Sequence, residues 1–100
     1  HEGKENKMKE ITALIEKMPL KQLQSVICLE CDGERLYLDG VGGTVHTDQI
    51  EGVVATIKLS QDHLYKILVG EENAISLFTM GEIEIEGDTS VAFKLKDIFG

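Results

Sequence analysis

Apolar residues recur at helical spacing near the start of the chain and at strand spacing directly after it. Between Lys7 and Met18 they return every three or four positions with Lys and Glu between them, which predicts an amphipathic helix. Pro19 follows, and proline cannot continue a helix because it lacks the backbone N–H and its ring clashes with the preceding turn. We therefore expect the first helix to end before Pro19.

A β-hairpin is the clearest local signal in the chain. Residues 25–30 and 34–39 have strand character, and Asp32-Gly33 between them is typical of a two-residue type I′ turn. This turn sets a register that places apolar pairs on one face and an ion pair on the other, as a half-buried hairpin requires. The predicted pairs are Leu29 with Leu36, Ile27 with Leu38, and Glu30 with Arg35.

Three further segments have strand character. Residues 44–47 form a short strand in this prediction, and residues 53–59 form a longer one with an apolar face. Residues 82–86 alternate strictly, so two isoleucines point inward and three glutamates point outward. The inward residues of the last two strands are expected to be Val53, Ala55, Ile57, Leu59, Ile83 and Ile85.

Three helices in the second half are predicted by their caps as well as by their apolar faces. Ser60 and Asn73 cap the first two, each of which is closed by a glycine, and Asp88 or Ser90 caps the third. The residues expected on the inner faces are Leu64, Ile67 and Leu68, then Ile75, Leu77 and Phe78, then Val91, Ala92, Leu95, Ile98 and Phe99.

These elements predict an α+β fold, with a mostly antiparallel sheet of about five strands and the helices packed on one face. One hundred residues is the length of one domain, and no linker or internal repeat divides the chain. We therefore expect residues 1–100 to form a single domain.

Net charge restricts the choice of partner. The chain has a net charge of −8, and the part after residue 21 has five basic against fourteen acidic residues. This balance disfavours nucleic acid, which requires a basic surface, and electrostatic docking on anionic lipid. The longest apolar runs are only a few residues long, so no stable membrane insertion is expected. The polar start has no apolar stretch typical of a secretory leader, so we expect a cytoplasmic protein.

Cys28 and Cys31 form a Cys-x-x-Cys pair, which raises a redox or a zinc interpretation. Both residues lie in a predicted strand, where side chains three positions apart point to opposite faces. A zinc site would also need a fourth ligand even if His46 supplied the third. We therefore interpret the two cysteines as small buried apolar residues.

The remaining polar residues do not form a recognisable catalytic motif. The chain has no phosphate-binding glycine loop and no Gly-x-Ser-x-Gly sequence, and no cofactor is implied. His63 could move a proton, but a histidine on the surface of a helix is the simpler interpretation. Glu82, Glu84 and Glu86 are spaced about 6–7 Å apart along a strand, too far apart for one cation without further ligands. We expect no enzyme activity and no metal site, although a small enzyme that uses His63 or Cys31 stays a third possibility.

Phe93 does not follow the apolar faces described above. On the last helix it falls nearly opposite the face that contains Val91 and Leu95. Phe78 and Met80 are the bulky apolar residues of the preceding helix, and methionine adapts easily to irregular surfaces. Plain core packing explains each of these residues singly, and together they are also suited to line a cavity or to contact a partner.

The second half resembles the sterol carrier protein type 2 (SCP-2-like) family of lipid-binding domains. The segments that resemble the family are Thr56-Ile-Lys-Leu-Ser60, Asp62 to Gly70, Asn73 to Gly81, Glu82 to Asp88, and Val91-Ala-Phe-Lys-Leu95. The resemblance implies a five-stranded sheet under helices, with an apolar tunnel for fatty acids, acyl-CoA, sterols or phospholipids and without catalytic residues. By position, the tunnel walls would be the helices over residues 61–69, 74–80 and 91–99.

The leading hypothesis is a non-enzymatic carrier of an apolar small molecule or lipid. Its predicted ligand-binding residues are Leu64, Ile67, Leu68, Leu77, Phe78, Met80, Phe93 and Leu95. The alternative is an accessory or protein-interaction domain with the same fold and a filled core, which could form a homodimer. The alternative predicts no cavity of ligand size and an exposed apolar patch near Phe93 or Phe99.

Overall fold

A mixed five-stranded sheet forms one layer of the fold, and α-helices cover one of its faces. The computed structural model describes residues 2–100, with side chains from residue 7 onward. The described helices are α1 (Glu2–Glu16), α2 (Gln61–Leu68), α3 (Ala74–Thr79) and α4 (Thr89–Phe99), with a short 3-10 turn at Leu20–Gln22. The strands are β1 (Val26–Cys31), β2 (Glu34–Asp39), β3 (Thr44–His46), β4 (Val53–Leu59) and β5 (Glu84–Gly87).

The sheet has the strand order β3-β2-β1-β4-β5, and its β1–β4 pair is parallel whereas the other pairs are antiparallel. The α+β prediction is therefore confirmed. The predicted hairpin register is confirmed too, because Leu29 lies opposite Leu36 and Ile27 lies opposite Leu38. On the other face, the Arg35 guanidinium lies 3.2 Å from the Glu30 carboxylate.

The prediction that Val53 points inward is wrong. The pairing between β1 and β4 shifts after its first residue: Val26 lies opposite Val53, but Ile27 lies opposite Ala55. Val54 is therefore an extra residue on β4, and the alternation of faces begins only at Ala55. Val53 and Val54 are 37% and 41% exposed as a result.

Helix starts follow the predicted caps. The Ser60 hydroxyl accepts a hydrogen bond from the His63 backbone N–H at 3.0 Å, and the side-chain amide oxygen of Asn73 accepts one from the Ser76 backbone N–H. Asp88, not Ser90, caps α4, because its carboxylate accepts from the backbone N–H of Ser90 at 3.0 Å. These side chains satisfy backbone donors that a helix start leaves without a partner.

Some boundaries differ from the prediction by a few residues. α1 begins at Glu2 rather than Lys7, since its first turn is polar and has no apolar period to mark it. β5 begins at Glu84 rather than Glu82, and the α3 helix ends at Thr79. In the β5 segment the isoleucines lie on the core side and the glutamates are exposed, as predicted.

Gly87 allows β5 to approach β4 closely at the start of α4. Its φ is +91°, and a Cβ at this position would collide with the Val54 carbonyl oxygen. The next residue, Asp88, donates its backbone N–H to that same carbonyl at 3.0 Å. A glycine is therefore needed where the chain turns from the sheet edge into the helix that covers it.

One apolar core joins the helices to the inner face of the sheet. α1 packs against α2 and β3, whereas α4 packs over β4 and β5. Residues such as Ile11, Ile27, Leu38 and Leu64 are at most 1% exposed in this core. Among the described residues, no helix combines the length and the apolar character that crossing a bilayer would require.

Candidate functional site

A small apolar cavity lies between the sheet and the helices α2, α3 and α4. Its volume is about 50 Å³. The strands provide its floor and the three helices provide its walls. Its lining comprises Leu29, Ile57, Leu59, Leu64, Ile67, Ala74, Ile75, Phe78, Ile83, Ile85, Ala92, Phe93, Leu95, Lys96 and Phe99.

The cavity reaches the surface between α3 and α4. Ile75, Phe78 and Phe93 belong to its lining and are also 40–42% exposed, so we call these three residues the apolar mouth. The two phenylalanine rings meet edge to face, with centroids 6.1 Å apart and an interplanar angle of 80°. This is a favourable geometry for an aromatic pair, and it joins the two helices across the opening.

Five of the eight residues predicted to bind a ligand lie in the cavity lining: Leu64, Ile67, Phe78, Phe93 and Leu95. The other three do not contribute to it. Leu77 is buried in the core at 3% exposure, Leu68 is half-buried against the core, and Met80 is 65% exposed. Met80 faces solvent because α3 ends one residue earlier and leaves it as the C-cap.

The predicted ligand-binding residues did not include the floor of the cavity or five of the wall residues, which are Ala74, Ile75, Ala92, Lys96 and Phe99. The floor comes from inward residues of the strands, such as Leu29, Ile57 and Ile85, which strand alternation had assigned only to the core. Ala92 lies on α4 at 4% exposure, and its short side chain leaves space beside it. A small residue on the inner face of a helix whose other inward residues are bulky is the sequence signal that could have identified Ala92.

Lys96 is the charged member of the lining, among the residues that the structure describes. Its side chain is 35% exposed, and its ammonium lies 2.8 Å from the carboxylate of Asp97, which is 73% exposed. An ion pair this exposed contributes little to stability. Lys96 therefore contributes a cationic side chain to the lining, with its ammonium held only by an exposed ion pair.

His63 connects α2 to both segments that flank α3. Its Nδ1 lies 2.8 Å from the Glu72 carboxylate and its Nε2 lies 3.5 Å from the Glu82 carboxylate. The side chain is 24% exposed, so His63 lies at the surface of α2 as predicted, but it also contacts two carboxylates. The hydrogen bond with Glu72 raises the pKa of His63 above its ordinary value, partial burial opposes this, and the charge of Glu82 adds to the rise.

Replacing His63 by Gln is expected to lower stability by less than about 1 kcal/mol in a pH-dependent way. Because the pKa of His63 is higher in the folded chain than in the unfolded chain, its stabilising effect is complete below about pH 6.5. The effect is lost as the pH rises through the folded pKa. Urea unfolding of both proteins at pH 6 and pH 9 measures this. The prediction fails if the difference in unfolding free energy between the parent protein and His63→Gln is not smaller at pH 9 than at pH 6. When Glu72 is also replaced by Gln in both proteins, this difference should depend less on pH.

The two cysteines are separated by the sheet. Cys28 lies opposite Tyr37 on the face away from the helices, whereas Cys31 belongs to the apolar core. Both are free and at most 2% exposed. Burial raises the pKa of the Cys28 thiol, and it raises that of Cys31 to about 12, so neither forms a thiolate near neutral pH. The predicted divergence of the two sulfurs is confirmed.

Metal-ligating side chains do not converge in the described part of the chain. No group of three or more His, Cys, Asp or Glu side chains there is arranged to hold an ion. His46 contacts the Thr44 hydroxyl at 2.8 Å on β3. The arrangement as a whole therefore offers apolar surface and one nearby ammonium.

Known proteins resemble this chain in fold. Residues 4–100 match the model of the SCP-2 sterol transfer family. A comparison with curated proteins returns no match.

Three solved structures illustrate the likeness. Sterol Carrier Protein-2 from Aedes aegypti in complex with palmitate has a TM-score of 0.76 and 18% identity, with 94% of each chain covered. Sterol Carrier Protein 2 Like 2 from the same species has a TM-score of 0.74, 18% identity and the same coverage. The sterol carrier protein domain 2 of Helicoverpa armigera has a TM-score of 0.74 and 20% identity over 91% of this chain and 83% of that one. At these identities the likeness concerns the fold.

Proposed function

We propose that this chain, which belongs to the SCP-2 sterol transfer family, is a non-enzymatic binding protein for an apolar ligand. The ligand lies in the cavity between the sheet and the helices α2, α3 and α4, and it enters through the apolar mouth. Candidate ligands are fatty acids, acyl-CoA, sterols and phospholipids. We further propose that the chain acts as a single domain in the cytoplasm, without a cofactor.

The lining of the cavity is the observation that supports this proposal. Apart from Lys96 it consists of aliphatic and aromatic side chains drawn from three strands, three helices and Ile83 just before β5. A hydrocarbon chain that enters this space leaves water and gains about 25 cal/mol for each Å² of apolar surface buried. Such a lining suits a ligand without polar groups along its length.

A single acyl chain is the ligand class that we favour. The cavity of about 50 Å³ is far smaller than the roughly 300–1,000 Å³ of pockets that enclose a small molecule. A flexible chain can enter by stages, whereas a rigid sterol needs its full width at once. The related protein from Aedes aegypti was solved with palmitate, which agrees with this choice.

In this proposal the cavity widens when the ligand binds, and α3 is the helix that moves outward. α3 is only six residues long, and Leu77 is its buried residue. Its two other large apolar residues, Ile75 and Phe78, face the mouth and are 42% and 40% exposed, and Ala74 is partly buried against the core. Moving α3 outward therefore breaks fewer core contacts than moving α4, which buries four residues.

Lipid extraction and direct binding test the proposal. The purified protein is extracted under denaturing conditions, the extract is analysed by mass spectrometry, and the refolded protein is titrated with a fluorescently labelled fatty acid. We expect a co-purified acyl lipid or a dissociation constant in the micromolar range or below. If no lipid is extracted and the labelled fatty acid does not bind at micromolar concentration, the protein is not a carrier.

A second candidate function is that of an interaction domain that forms a homodimer. The small size of the cavity and the exposure of the apolar mouth favour this candidate. In that case the mouth is a contact surface between copies, and the residual cavity is a packing defect.

Phe93→Asp separates the two functions. The carrier predicts a monomer in which this substitution weakens fatty-acid binding, because a carboxylate then stands at the mouth. The interaction domain predicts a dimer that the substitution disperses, without loss of ligand affinity. Sedimentation velocity and fatty-acid titration are measured together. Val41→Asp is the matched control, since Val41 is 70% exposed in the turn between β2 and β3, away from the mouth.

A further inference from the structure

A polar cleft adjoins the apolar cavity on the side of α4. Its volume is about 350 Å³, and Ile67, Ala74 and Lys96 line both it and the cavity. The polar part of the cleft is formed by Glu71, Glu72 and Asn73, in the segment between α2 and α3. A molecule with its chain in the cavity can therefore extend its polar end into this cleft.

The charges of the cleft differ in their availability. Glu72 already pairs with His63 at 2.8 Å, which is a partly buried contact. Glu71 is exposed and presents a carboxylate at the rim. The Lys96 side chain lines both the cleft and the cavity, and its ammonium makes an exposed ion pair with Asp97. The cleft thus offers one cation next to the cavity and one anion further out.

From this arrangement, and resting on the proposed function, we propose that the cleft binds the zwitterionic head group of a single-chain phospholipid. The phosphate lies near Lys96 and the cationic end lies near Glu71, while the acyl chain occupies the cavity. A free fatty acid fits less well, because its carboxylate would meet Lys96 in the presence of Glu71, Glu72 and Asp97. The net charge of −8 adds a further penalty for an anionic ligand.

Three lipids with the same chain length test this inference: lysopalmitoylphosphatidylcholine, palmitate and hexadecanol. Each is titrated below its micellar concentration at pH 7.5 and low salt, by displacement of a fluorescent fatty acid. We expect the zwitterionic lipid to bind at least about fivefold more tightly than palmitate, which is the scale of one exposed charge contact. Equal or tighter binding of palmitate overturns the inference.

Variants assign the preference to the cleft. Lys96→Gln is expected to weaken binding of the zwitterionic lipid about fivefold and to change hexadecanol binding less than twofold. Lys94→Gln on the same helix is the matched control, since Lys94 is exposed and lines neither the cavity nor the cleft. If Lys96→Gln weakens all three lipids equally, or if Lys94→Gln has the same effect, the cleft does not select the head group.

The same titrations distinguish this inference from the proposed function. If hexadecanol binds and the zwitterionic lipid is not preferred, the proposed head-group site is wrong and the proposed acyl-chain site still holds. If none of the three lipids binds, both the proposed function and the head-group site are wrong.

Discussion

Replacing Ala92 by Leu is expected to weaken the binding of an acyl chain at least about tenfold, or by about 1.4 kcal/mol. Ala92 lies on α4 inside the cavity lining at 4% exposure. Leucine adds three carbon atoms at this position, which is comparable to the space that the cavity of about 50 Å³ provides. The added side chain therefore takes the place of the ligand. Titration with a fluorescent fatty acid measures the loss.

Stability distinguishes a filled cavity from a damaged fold in this experiment. Overpacking of a tight core costs about 1–3 kcal/mol, whereas an added side chain that occupies empty space costs little or stabilises the protein. We therefore expect Ala92→Leu to lose affinity without a large fall in melting temperature. Ala92→Val is a smaller step that should give an intermediate affinity. Ala13→Leu, on the exposed side of α1, is the matched control and should leave binding unchanged. Unaltered affinity in a folded Ala92→Leu protein would place the ligand elsewhere.

Replacing Leu95 by Ala is expected to destabilise the protein by about 3 kcal/mol and to lower its melting temperature by roughly 10–25 °C. Leu95 lies on α4, is 1% exposed, belongs to the apolar core and lines the cavity. Its removal takes away apolar contacts and enlarges a cavity that is already present. The substitution also supplies part of the widening that binding requires. The variant should therefore bind an acyl chain more tightly than the parent protein.

Thermal unfolding with and without fatty acid measures both effects of Leu95→Ala. A ligand that binds only the folded state raises stability by about 2.7 kcal/mol at a hundredfold excess over its dissociation constant. Leu38→Ala is the matched control, since Leu38 is fully buried at 0% exposure but lies outside the cavity lining. Fatty acid should reduce the loss of stability of Leu95→Ala relative to the parent protein, but not that of Leu38→Ala. If fatty acid changes neither loss of stability, a ligand in this cavity is contradicted.

Local patterns accounted for much of the fold because they act over a few residues. The Asp32-Gly33 turn sets the register of the β1–β2 hairpin, and Ser60 and Asn73 each satisfy a backbone donor three residues ahead. The patterns failed where a distant strand intervened. The irregular pairing of β1 with β4 exposes Val53, and nothing near Val53 in the sequence signals that shift.

Local patterns identified only part of the candidate site. Helical spacing places Leu64, Ile67 and Leu95 on inner faces, and all three line the cavity. Phe93 was the exception to those faces, and it lies at the mouth beside Phe78 with their ring centroids 6.1 Å apart. The pairing of these rings depends on the distance between α3 and α4, which no spacing within either helix determines.

The sequence by itself determined the fold class, the main elements, the hairpin register and the separation of the two cysteines, because each follows from contacts between near neighbours in the chain. Only the tertiary structure decided that the layers leave a cavity of about 50 Å³, and that Lys96 stands where this cavity meets a polar cleft. It also decided that His63 joins the two segments on either side of α3. A cavity is the difference between the space that distant elements enclose and the volume of the side chains that fill it. That difference exists only once all the layers have packed together.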